Sequence, residues 1–160
     1  MTPVGDPVQT VRELFARQRL GVLATQGPGH PYASLVAVRA DDDLRHLYFT
    51  TTRATRKFHY LCEHPEVAML VDSCSDEDLD FHGTVAATAV GRARELTGDE
   101  RATQLAAFVR RHPHLRTFAA APSSALVEIT VDTYYVVSRF QNVIELHMTE
   151  QGAGRGKQGT

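Results

Sequence analysis

Residues 49–57 read FTTTRATRK, three consecutive threonines followed after two residues by Thr55, Arg56 and Lys57. The β-branched run predicts the end of a strand, and Thr55, Arg56 and Lys57 predict the first turn of a helix. A helix start carries unpaired backbone N–H groups and the positive end of the macrodipole. Arginine adds a planar fork that matches phosphate oxygens, and lysine adds a point charge. Hydroxyls and cations converging there describe a pocket for one terminal phosphate. The same residues also fit a cationic helix start that is simply solvated. Cations in a first turn, however, oppose the macrodipole by about 0.3 to 1 kcal/mol each, a cost that a bound anion would offset. Neither GxxxxGK[ST] nor GxGxxG occurs, so the glycine-rich triphosphate and dinucleotide cradles are not indicated.

Other residues with chemical potential are less organised. Among eight histidines, His112-Pro113-His114 and Cys62-Glu63-His64 form the closest pairs. Neither has the second pair that a tetrahedral zinc site needs, so no metal site is predicted. Ser34 and Ser138 have no nucleophile elbow around them. The acidic stretch 73–80 does not fit the spacing of a calcium loop and reads as a solvated loop. No catalytic acid or base is assigned.

The elements that position these groups read as a β protein. Val8, Val11, Leu14, Phe15 and Gln18 mark one face of an amphipathic helix over residues 8–18 that lids something. Strands are predicted at 20–25, 32–39 and 44–52, the first two joined by a hairpin at the glycine- and proline-rich 26–31. A short helix at 55–64 is stopped by Pro65, and residues 67–72 form a fourth strand. Residues 81–96 read as a long strand whose Gly83 and Gly91 suggest bulges or bends at barrel corners, and 98–111 as a helix with Leu105, Phe108 and Val109 inward. Two more strands, 125–131 and 134–140, flank an expected turn at Asp132-Thr133, with Tyr135 and Arg139 candidates to line a groove. Roughly seven hairpin-linked strands with three short helices fit a small antiparallel barrel, since a parallel sheet would need a helix after each strand.

A chain of 160 residues with 42% hydrophobic content has the length and composition of one globular domain. A single domain is expected over residues 1–149, with the glycine-rich 150–160 disordered. Seventeen basic residues against nineteen acidic ones, net charge −2, give no general attraction to nucleic acid or anionic membranes. The longest apolar runs, such as 67–71, are far below the roughly 20 residues that cross a bilayer. The opening MTPVGDPVQ has neither the basic nor the apolar part of a secretory signal, and Cys62 and Cys74 make no disulfide framework. The expectation is a cytoplasmic protein with reduced, structural cysteines.

In order, the run from Pro31 through Tyr32, Ser34, Leu35, Val36 and Arg39, then Tyr48-Phe49-Thr50-Thr51, then Thr55-Arg56-Lys57, then His64-Pro65-Glu66-Val67-Ala68-Met69-Leu70, is similar to a known pattern. It resembles the pyridoxamine 5′-phosphate oxidase-like family of flavin mononucleotide (FMN)-binding split barrels, and Val90-Gly91-Arg92-Ala93 looks like that family's following strand. The resemblance implies a mainly β, Greek-key split barrel with short helices. It further implies that Arg56 and Lys57 hold the flavin phosphate, with Thr55 in place of the usual serine. Thr50 and Thr51 would lie near the ribityl chain and phosphate. Ser34, Leu35, Val36 and Arg39 would run along the isoalloxazine, where Arg39 or a strand amide could stabilise negative charge at the ring's pyrimidine edge. Partnership is implied with a second copy of the chain, the cofactor lying at a two-fold interface, and with a small-molecule substrate.

Departures narrow the resemblance. Ala86 stands where the vitamin oxidase has glutamine, no tryptophan occurs, and residues 105–113 lack the tyrosine, arginine and serine pattern for substrate phosphate. The match is therefore to relatives that keep the flavin pocket without the vitamin site. Three functions stay open: an FMN oxidoreductase, a deazaflavin-dependent reductase whose longer basic groove would draw in Arg53, and a non-catalytic flavin- or haem-binding protein.

Overall fold

The computed structural model describes residues 5–74, 83–138, 142–149 and 152–158. Helix α1 (Pro7–Arg17) starts where Asp6 accepts the Val8 N–H at 3.1 Å and proline occupies the first turn. It buries Val11, Leu14 and Phe15. Strands β1 (Leu20–Gly27) and β2 (His30–Ala40) form a hairpin whose turn places Gly29 at φ +75°. Next come β3 (His46–Thr52), α2 (Arg56–Glu63), β4 (Glu66–Asp72), β5 (Val85–Glu95) and α3 (Gly98–Arg111). A 3-10 turn at Pro113–Leu115 leads into α4 (Arg116–Ala120), β6 (Ser124–Ser138), β7 (Asn142–Thr149) and β8 (Gly152–Gln158).

All eight strands belong to one antiparallel sheet in the order β3-β2-β1-β4-β5-β6-β7-β8, and β3 also pairs with β6. That extra pairing closes β1 to β6 into a barrel, with β1 beside β4 in Greek-key fashion. Inward positions of the strands fill the barrel with Leu23, Val38, Leu47, Phe49, Met69 and Ile129. α1 caps it, Phe15 lying edge-on to Tyr134 with ring centroids 6.2 Å apart. A smaller core lies outside the barrel, where α3 and α4 cover Tyr48 of β3 and Leu126 of β6.

Several expectations are corrected. The predicted strands at 125–131 and 134–140 are one continuous β6, and Asp132-Thr133 is no turn. Val90 pairs with Thr133 while Gly91 pairs with Val131, so Asp132 is the extra residue of a β-bulge. The bulge shifts the inward parity of β6 from Ile129 and Val131 to Tyr134 and Val136. Gly91, expected to mark a bulge, sits opposite it; Gly83 precedes β5 in a bend. β3 begins at His46, two residues later than expected, because buried Leu44 takes a left-handed φ of 63° in the preceding turn. Residues 152–158, within the glycine-rich end, form β8 on the free edge of β7. Backbone pairing supplies that strand's hydrogen bonds without needing a patterned side-chain face. Cys62 and Cys74 are free, as expected, but exposed, so neither is a core residue. The acidic stretch expected at 73–80 falls largely outside the described residues, as does Arg139.

One feature of the sheet creates a groove. β2 pairs with β1 over residues 30–37, but with β3 only where Val38, Arg39 and Ala40 meet Phe49, Tyr48 and Leu47. Beyond that point Thr50, Thr51 and Thr52 pair with β6 instead. The barrel is split along this line, and α2 spans the gap. Its Tyr60 packs edge-on against Tyr32 at 5.7 Å between ring centroids and touches the space above Gly27.

Candidate functional site

The split brings the end of β3, the start of α2 and the open edge of β2 to one place. The Val38 N–H is bonded to the Arg19 carbonyl on the β1 side at 3.0 Å. Alternation therefore turns the N–H and C=O groups of Leu35 toward the side of β2 that the pairing with β3 no longer reaches.

Thr55 caps α2 and is committed to it. Its hydroxyl accepts the Phe58 N–H at 3.5 Å and donates to the Thr52 carbonyl at 2.8 Å, and the Thr51 hydroxyl lies 2.9 Å away. The cap thus ties the last residues of β3 to the first turn of α2. Arg56 and Lys57 occupy that turn, Arg56 exposed and Lys57 half-buried, and neither has a hydrogen bond or ion pair with the described residues. Thr51 points into the barrel with Phe49, whereas Thr50 faces outward with Tyr48. On β2, Ser34 and Val36 point inward and Leu35 outward, 64% exposed. The Ser34 hydroxyl is buried without a partner.

Arg39 lies apart from the phosphate-type turn, opposite Tyr48 and four strand residues, or about 13 Å, from Thr52. Its guanidinium stacks on the Tyr48 ring, 4.4 Å from the centroid, donates to Gln104 and pairs with Asp41 at 3.4 Å. Nε is buried without an acceptor. Asp41 also accepts from Tyr48 Oη at 3.2 Å and faces His46 Nδ1 at 3.1 Å. Burial, reinforced by the Asp41 and Glu128 carboxylates, pushes the Tyr48 phenol far above its ordinary range, so it stays protonated. The sequence reading missed Tyr48, Asp41 and Gln104 because a cation–π stack across two strands and a helix has no local signature. Asp41, Asp43 and His46 also place ligand atoms within 4.8 Å of one another. Their bonds to Arg39, Tyr48 and the Arg45 N–H account for the grouping as a braced turn.

Arg53, invoked for a longer basic groove, is turned away from that role. It forks onto Glu95, with Nε at 2.8 Å, and onto the Pro122 carbonyl at 2.6 Å. Tyr135 is 38% exposed on the outer face of the sheet, in one cross-strand row with Leu35, Val22, Leu70 and Thr88.

A family model described as pyridoxamine 5′-phosphate oxidase matches residues 8–138. The chain belongs to this family. Solved structures share its fold. A haem-binding protein from Mycobacterium smegmatis superposes with a TM-score of 0.75 at 14% identity, covering 96% of this chain and 88% of that one. HutZ, the haem storage protein from Vibrio cholerae, gives 0.69 at 15% identity, covering 82% and 93%. An FAD-binding protein from Mesorhizobium loti gives 0.65 at 19% identity, covering 80% and 90%. At such identities the likeness establishes the split-barrel fold. No curated protein matches the sequence. No helix among the described residues is long and apolar enough to cross a membrane.

Proposed function

We propose that this chain binds FMN in the β2–β3 split and acts, as a homodimer, as an oxidoreductase on a small substrate. The observation that carries the reading is the pair Arg56 and Lys57, two cations at a capped helix start with no hydrogen bond or ion pair among the described residues. They stand beside a strand edge whose amide and carbonyl groups face a gap. A terminal phosphate suits the helix start, and a planar ring with donors and acceptors along one side suits the strand edge. The length of strand between Thr52 and Arg39 accommodates the chain that joins the two.

FMN would supply the electron-transfer chemistry. The protein's own contribution is placement. Arg56, Lys57 and the α2 N–H groups hold phosphate, while Thr55 fixes the angle at which α2 leaves β3. The main chain at Leu35 meets the ring, and Ser34 and Val36 lie behind it on the barrel side, where Val36 keeps the interior dry. Arg39, held by Tyr48, Asp41 and Gln104, presents a fixed positive charge at the far end. A fixed cation there favours negative charge on whatever ring lies against it.

The groove is open on the side where Leu35 projects. A row of Leu35, Val22, Leu70, Thr88 and Tyr135 crosses the sheet beside it. An apolar row of this kind beside an incomplete groove supports a second copy as the cover. The commitment of Arg53 to Glu95 weighs against the longer polyanionic tail of a deazaflavin. Extraction of the cofactor from purified protein, followed by mass determination, tests the reading. FMN is the expected species; haem, as in two of the relatives, or a deazaflavin would overturn it.

A further inference from the structure

The cations of this chain are mostly spoken for. Arg53 pairs with Glu95, Arg92 with Glu66, Arg94 with Glu100 and Glu128, and Arg39 with Asp41. Arg111 donates to three carbonyls at the end of α1. Among the described residues up to position 138, besides Arg17 and the Arg56–Lys57 pair, the arginines and lysines with neither a hydrogen bond nor an ion pair are Arg110 and Arg116. Both line one groove of about 530 Å³ between α3 and α4, and Arg101 lines it too. Arg101 has a single carbonyl contact, to Ala119 at 3.3 Å.

The rest of the lining is apolar, with Leu105, Ala106 and Val109 on α3, and it contains no carboxylate. Asp99 and Glu100, the nearest acids on α3, lie in its first turn, and Glu100 is already bonded to Arg94. Three guanidinium carriers are thus gathered around an apolar trough without a counter-charge, in a protein whose net charge is −2. An anion would pair with these guanidinium groups, and the floor is suited to a hydrocarbon body. The volume is that of a small-molecule site.

We infer that the α3–α4 groove binds a small amphipathic organic anion, a carboxylate or similar acid on an aliphatic or aromatic body. The site shares no residue with the β2–β3 split, so the inference stands whether or not FMN is the cofactor there.

Calorimetric titration of the full-length protein with decanoate tests it. One equivalent should bind. Acetate, which offers the head alone, and decyltrimethylammonium, which offers a similar tail with the opposite charge, should not bind. The Arg110→Gln/Arg116→Gln double variant should lose at least tenfold in affinity. Ala106→Glu, which places a carboxylate at an exposed helical position in the trough, should lose at least as much with no change in thermal stability. Arg56→Ala/Lys57→Ala should bind decanoate as the parent does, which separates this groove from the proposed phosphate site. Absence of saturable decanoate binding, equal binding by the double variant, or binding of decyltrimethylammonium would overturn the inference.

Discussion

Arg56 and Lys57 are the residues on which the proposed cofactor site depends, and their lack of protein partners makes the outcome of removing them simple to read. Each truncation should weaken FMN binding by about 1.5 to 3 kcal/mol, the range of a charged hydrogen bond, measured by quenching of flavin fluorescence. Stability should change less than affinity, since neither side chain makes a hydrogen bond or ion pair among the described residues. His112 presents the opposite case. It is buried, bonds the Val38 carbonyl through Nε2 at 3.0 Å and stacks near Phe108. Burial, helped by the charges of Arg111, Arg19 and His114, pushes its pKa below the usual 6.5 against the raising effect of the carbonyl bond. The unfolded chain binds a proton there that the folded chain resists. Stability is therefore full above pH 6.5 and declines as pH falls from that value toward the depressed folded pKa. Melting temperatures across this window should fall in the parent and fall less steeply in His112→Gln; identical slopes would remove His112 as the cause. At this scale the sequence was partly informative. Charge and hydroxyl types marked the α2 turn, whereas the anchoring of Arg39 and the diversion of Arg53 to Glu95 depend on partners 42 to 65 positions away.

Period and punctuation located most elements, because β1, β2 and β4 each present one buried face and α1 a buried stripe. Two failures share a cause. Asp132-Thr133 has the residue types of a turn, and those types also suit a bulge; only Gly91 across the ladder decides between them. A Cβ on Gly91 would lie 2.0 Å from the Thr130 carbonyl oxygen. Gly91→Ala should accordingly cost about 3 kcal/mol or more, read as a lowered denaturant midpoint. Gly83→Ala, with nothing within 4 Å, should stay within about 0.5 kcal/mol of the parent. β7, Asn142–Thr149, was not predicted: it does alternate, with Ile144 and Leu146 buried and Glu145 between them, but the pattern is short. β8 gave none, since glycine-rich backbone pairs without side-chain pattern.

For the whole molecule the question is what covers the outer sheet face. Leu35, Leu70 and Tyr135 are large, more than a third exposed and aligned across five strands with Val22 and Thr88 between them. Leu35→Asp leaves the fold of one chain intact, because Leu35 contributes little to either core. It should shift sedimentation from dimer to monomer and reduce the FMN retained on purification, as both depend on the face beside the split. A monomer that keeps its flavin would separate cofactor binding from assembly. The parting of β2 from β3 has one more outcome, in the life of the protein in solution. Around Leu35 it leaves a strand border outside the β3 ladder, flanked by that outward side chain. Such a border recruits extended peptide from any source. Whatever molecule occupies it thereby acts as a chaperone for this chain, and material stripped of it should be the form that precipitates first.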